Sequence, residues 1–242
     1  DLTPATDNQV VDTVTVDVAG CGDGVTGHIA GGVALDNEAG GGRQIAECHH
    51  LTTVDRAADA ALAMISELPA INGEWAERLG GAIRLGIGLN TGRAQVGNSG
   101  SKRRMKYGPR GHAVNLTSRV EAATKVFGIS CLLTASTREK LTHDLPTRRI
   151  CRARLTGMVD PVDLFELAVG NESNWALRKQ KYEAALTFFE RGLLAECQQA
   201  CQQFTTEFGA SDGPANWLLA RVNDRLASGN TTIDPVFNVE TK

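Results

Sequence analysis

Between Ile83 and Leu167 short apolar runs of strand length alternate with helix-period repeats, an order that only a fold combining a sheet with packed helices can satisfy. Strands are expected at 83–89, near 102–107, at 129–133, and near 149–155 and 162–167. Helices are expected at 112–126 and 135–141 between them. Elements mixed in this way over some 85 residues predict an α/β architecture, an α+β sandwich with helices on one face of the sheet. Upstream, Val54, Ala57, Ala58, Ala61, Ile65 and Leu68 recur at helical spacing, and Pro69 is expected to end that helix. Residues 10–18 alternate as a strand does, and the glycine-rich stretch 31–42 reads as an irregular loop.

The helix that opens after Gly111 carries two kinds of information. Ala113, Leu116, Val120, Ala123 and Phe127 form an apolar stripe that must face a core. Asn115 and Arg119 lie off that stripe and one turn apart, so a carboxamide and a guanidinium project together from one edge. They sit in the first half of the helix, where free N–H groups and the dipole favour negative charge. Such a set suits a phosphate; the alternative is a solvated arginine beside a capping asparagine.

Composition narrows the partners. Charged residues make up 22% of the chain and the formal net charge is −3, so nothing global implies nucleic acid or an anionic membrane. The basic run Lys102 to Lys106 reads as a solvated hairpin arm. No apolar run approaches the length that crosses a bilayer. The six cysteines have no CxxC spacing, which predicts reduced thiols in a cytoplasmic setting.

Several separate motifs occur in a fixed order: Ile83 to Gly92 reads I-R-L-G-I-G-L-N-T-G, Val96 to Ser101 reads V-G-N-S-G-S, and Tyr107 to Glu121 contains Y-G-P-R-G-H-A-V-N-L-T-S-R-V-E. From about Val54 to about Val169 this succession resembles the class III nucleotide cyclases, the adenylate and guanylate cyclases, in their bacterial form. The resemblance implies a ferredoxin-like catalytic domain that works as a head-to-tail dimer, homodimeric or heterodimeric. It implies conversion of ATP, or alternatively GTP, to the cyclic nucleotide and pyrophosphate. It also implies two Mg2+ or Mn2+ ions held by two aspartates. The ribose-orienting asparagine and the transition-state arginine of the family fall on Asn115 and Arg119.

The rest of the family pattern matches less fully. Its first metal aspartate, in an F-x-D-I-x-G-F segment, has no counterpart in the sequence. Its second falls on Asp23, in a stretch that echoes the G-D-x-x-M-A motif without the methionine. The position that helps select the purine is Gly108; the family's triphosphate lysine would fall near Thr156 or Arg154, neither of which matches it, with Arg154 as the substitute cation. Two expectations follow: a fragment with an altered start, or a degenerate pseudo-cyclase that serves as a dimerising or regulatory module. Both predict little activity for this polypeptide alone. The chain thus divides into a divergent first part at 1–53, a cyclase catalytic domain at 54–170 and a small all-α tail at 171–242. In the tail Tyr182, Ala185, Leu186, Phe188, Phe189 and Gly192 resemble a tetratricopeptide-type helical hairpin, with Gly192 at the turn and a third helix starting at Asp212 or Pro214. That tail is expected to cap the domain, or to dock a protein partner.

Overall fold

The computed structural model describes residues 9–20, 53–101, 104–169, 174–229 and 234–240, of which 9–20, 98–101 and 104–106 are described as backbone only. Along the chain run β1 (Gln9–Gly20), α1 (Thr53–Leu79), β2 (Leu85–Ser101), β3 (Arg104–Arg110), α2 (His112–Phe127), β4 (Cys131–Thr134) and α3 (Ala135–Arg138). Then come β5 (Thr147–Leu155), β6 (Val162–Leu167), α4 (Trp175–Glu190), α5 (Leu194–Phe208), α6 (Gly213–Ser228) and β7 (Val236–Val239). The strands form one mixed sheet in the order β1-β2-β4-β6-β5-β7, with β3 paired to the far end of β2. β2 organises it. It pairs antiparallel with β1 from Leu85 to Val96, parallel with β4 at Ile87–Leu89, and antiparallel with β3 from Gln95 to Ser101.

Side chains along β2 alternate between two layers, as the pleat requires. Gly86 and Gly88 face α2, whereas Ile87 and Leu89 pack with Ala58 and Ala61 of α1, Cys131 and Leu133. Leu132 joins the opposite layer, with α2 and the tail helices. Helices therefore cover both faces, which corrects the expectation of helices on one face. The run Cys-Leu-Leu-Thr of β4 is buried at all four positions, the pattern of a strand covered on both sides.

Three further expectations are corrected. α1 does not stop at Pro69 but continues to Leu79. An internal proline costs about 3 kcal/mol. Beyond it, the Asn72 carboxamide donates to the Ile83 carbonyl at 3.0 Å and accepts from the Ile83 N–H at 2.7 Å, tying the helix to the approach to β2. Arg78 also lies over the Trp75 ring, 4.7 Å from its centre. β2 does not end at residue 89, as the expected strand 83–89 did; it runs 17 residues, because β3 supplies a ladder through Gly97 and Gly100. The tail is not wholly helical, since Val236–Val239 adds β7 parallel to β5.

The tail helices pack on the same layer as α2. Gly192, at φ +82°, closes the turn between α4 and α5. Tyr182 donates its hydroxyl to the Ile150 carbonyl of β5 at 2.9 Å. Phe189 stacks on Phe237 with ring centres 4.6 Å apart, and Trp217 meets Phe127 edge-on at 4.8 Å. One continuous core holds Val120 and Phe127 of α2, Ile150 and Leu155 of β5, and Leu186, Phe204 and Leu218 of the tail. Among the described residues no helix is long and apolar enough to cross a membrane.

Candidate nucleotide site on helix α2

Helix α2 lies directly on the backbone of β2. A Cβ added at Gly88 would stand 2.5 Å from the Glu121 nitrogen and 2.7 Å from the Thr117 carbonyl oxygen. One added at Gly86 would stand 2.6 Å from Thr124 Oγ1, and one at Gly92 would stand 3.0 Å from the Ala113 side chain. Only glycine allows this approach. The same strand face presents Asn90, which is 2% exposed. Its Nδ2 donates to the Ala113 carbonyl at 3.0 Å, at the first turn of the helix. Its Oδ1 accepts from Thr134 Oγ1 at 2.9 Å and Ser136 Oγ at 3.3 Å. Thr91 and Thr137 complete this buried hydroxyl network, 3.1 Å apart.

With one side of α2 seated in this way, the other side is fixed in space. Ala113, Leu116, Val120, Ala123 and Phe127 are buried, and Asn115 and Arg119 are exposed. Gly111 starts the helix at φ +130°, a conformation disfavoured for other residues, and its carbonyl accepts from the Asn115 N–H at 3.2 Å. The pair offers an amide that can both donate and accept beside a planar fork of donors matched to phosphate oxygens.

The remaining sequence-derived positions are not all gathered there. Gly108 lies on β3, opposite Gly97, on the strand that leads through Gly111 into α2. Space around its α-carbon is open. Arg154 lies on β5, separated from β2 in the sheet by β6 and β4. Its Nε donates to the Val159 carbonyl at 3.2 Å and its Nη1 to Asn238 Oδ1 at 3.1 Å, so it is engaged with the β5–β6 turn and β7. Thr156 donates to the Val239 carbonyl at 3.2 Å. Asp23 lies outside the described residues, as does the 31–42 stretch. Among the described residues there is no group of three or more His, Cys, Asp or Glu side chains that could hold a metal ion. Sequence reasoning overlooked Asn90 as the anchor of α2. The available signal was the period of two in Gly86, Gly88, Asn90 and Gly92, a row of small or polar residues opposite Ile87 and Leu89.

Residues 42–157 match the family described as the adenylate and guanylate cyclase catalytic domain. Adenylate cyclase 1 of Rhizobium meliloti (strain 1021) is 30% identical over 125 residues, covering 51% of this chain and 18% of that protein. The terminal-differentiation-specific adenylate cyclase of Dictyostelium discoideum is 26% identical over 140 residues, covering 55% of this chain and 6% of that protein. The chain thus spans less than a fifth of either curated relative. Among solved structures, the adenylyl cyclase CyaB from P. aeruginosa is 24% identical, covering 50% of this chain and 63% of that one, with a TM-score of 0.41. The guanylyl cyclase Cya2 is 29% identical, covering 49% and 59%, with a TM-score of 0.36. The family match thus falls on the segment that holds β2, α2 and β4 and carries Asn115 and Arg119.

Proposed function

We propose that this chain supplies a catalytic half-site that converts ATP to cyclic AMP and pyrophosphate across a dimer of cyclase domains. One observation carries the reading: Asn115 and Arg119 stand exposed on a helix whose opposite side is locked to β2. Cyclisation is an in-line attack of the ribose 3′-oxygen on the α-phosphorus, and it gains most from fixed geometry and charge stabilisation. Asn115 orients the ribose through its amide. Arg119 donates to the α-phosphate oxygens as charge gathers on them. ATP is favoured by the two curated relatives, both named adenylate cyclases. Gly108 presents no side chain that would discriminate between purines. When bound, Mg2+ or Mn2+ would supply the charge that neutralises the triphosphate, with Asp23 as the ligand proposed from the sequence.

A second reading is favoured by the stretch around Asp23, which echoes the G-D-x-x-M-A motif without its methionine: a partner domain brings the metal half, and this chain completes its site or regulates it. Cyclic nucleotide formation with Mn2+ and either ATP or GTP tests both readings, on the chain alone and mixed with an intact class III cyclase. Arg119→Ala is expected to lower kcat by about 100-fold, within the range for removing one donor to developing charge, and to leave KM within about threefold. An absence of product in both settings would end the proposal. A matching loss of binding and turnover would reduce Arg119 to a phosphate-docking group.

A further inference from the structure

The far end of α2 rests on the tail, at a junction as close as its seat on β2. Gly213, the first residue of α6, lies so near the last turn of α2 that an added Cβ would fall 2.1 Å from the Phe127 carbonyl oxygen. The same Cβ would stand 3.1 Å from the Phe127 carbonyl carbon and 3.2 Å from the Gly128 α-carbon. All three are backbone atoms and cannot yield by a rotamer change. The positive end of the α6 dipole meets the carbonyl end of α2, a favourable alignment. Trp217, one turn into α6, closes on the Phe127 ring.

Position 213 is itself held to the sheet. Asp212 caps α6 by accepting from the Ala215 N–H at 2.9 Å. Its other oxygen accepts from Arg148 Nη2 at 2.8 Å and Arg178 Nη2 at 3.0 Å. Arg148, 2% exposed on β5, also donates through Nε to Glu166 of β6. Contacts therefore run unbroken from two central strands, through Asp212 and Gly213, to the C-terminal turn of α2.

We propose that Asp212 and Gly213 are positioning residues for α2, setting its tilt and hence the placement of Asn115; the inference rests on the cyclase reading of that helix. The close contact of Gly88 with Thr117 and Glu121 acts as a fulcrum. Phe127 lies on one side of it, about 12 Å from Arg119 at about 1.5 Å per residue. Asn115 lies on the other. A push at Phe127 therefore rotates Arg119 at the fulcrum and swings Asn115 the opposite way, against the hydrogen bond from Asn90 to Ala113. Such a change disturbs transition-state geometry more than ground-state binding.

The test uses the full chain and two readouts. Gly213→Ala is expected to lower kcat at least tenfold with KM changed less than twofold, and to speed amide hydrogen exchange at 113–119 while β5 and β6 keep their protection. Asp212→Asn retains the cap acceptor but loses charge; it is expected to shift both readouts the same way, by about threefold in kcat, and it carries the test if Gly213→Ala fails to fold. Lys181→Ala, which breaks the α4–α5 ion pair to Glu207, should change neither. An unchanged kcat, or a change confined to KM, in both junction variants overturns the inference. Should the unaltered chain form no cyclic nucleotide in any setting, the function reading fails separately. The positioning claim then stands or falls on hydrogen exchange at 113–119 alone.

Discussion

At Gly88 the missing side chain decides the position of a whole helix. The backbone of β2 touches the backbone of α2 there, and the contact involves Thr117 and Glu121, which bracket Arg119. Gly88→Ala must push the helix outward or bend the strand. Overpacking of this kind costs roughly 1–3 kcal/mol. For a chain of this length that corresponds to a fall in Tm of about 2–4 °C per kcal/mol. Gly108→Ala provides the contrast, since the space around Gly108 is open; it should leave stability within about 0.5 kcal/mol. Thermal melts of the two variants check the pair. An unshifted Tm for Gly88→Ala would mean that α2 is not held by this strand.

At the scale of elements, the β5–β6–α6 junction depends on charges removed from water. Burial alone would pull the Arg148 guanidinium down, but the carboxylates of Glu166 and Asp212 outweigh it and raise its pKa above the ordinary value. Burial pushes the Glu166 carboxyl up, against the pull of Arg148. Such a network is weak evidence of net stabilisation, yet removing one member leaves others uncompensated. Arg148→Met should therefore cost about 3–5 kcal/mol in urea denaturation, and Arg148→Met with Glu166→Leu should recover a large part of that loss. If the single variant were as stable as the parent, the junction would carry no charge-dependent strength. Neither this junction nor the two-faced sheet was visible in local patterns, for a physical reason. Arg148, Glu166 and Asp212 are scattered in sequence and meet only through tertiary packing, so no spacing rule connects them. Elements marked by their own local pattern were legible: the buried stripe from Ala113 to Phe127, the strand at 10–18, and the start of α6 at Asp212. Pro69 misled because the helix continues past it to a tertiary tie that no local rule shows, the pair of hydrogen bonds between Asn72 and Ile83. Arg119 was legible as a candidate because a motif surrounds it, while Asn90, the buried anchor of the same helix, had only a period of two to mark it.

At the scale of the whole molecule, the tail and the sheet share one core, so their stabilities should not be separable. Phe127 of α2 meets Trp217 of α6, Trp217 meets Phe237 of β7, and Phe237 stacks on Phe189 of α4. Removing the tail would expose Val120, Phe127, Ile150 and Leu155 together, an apolar patch of the sort that drives aggregation. The chain has three tryptophans, and their positions suit a direct test. Trp75 lies on α1, on the opposite layer of the sheet, whereas Trp175 and Trp217 lie on the tail. Variants retaining only Trp75 or only Trp217 would report unfolding from the two layers independently, provided each is first shown to fold. We expect their urea midpoints and slopes to coincide, as they do when a chain unfolds in one cooperative step. A tail that melts first, with Trp75 fluorescence unchanged, would show a detachable module. It would also weaken the coupling between α6 and α2, because a junction that opens alone cannot hold the tilt of the helix that bears Asn115.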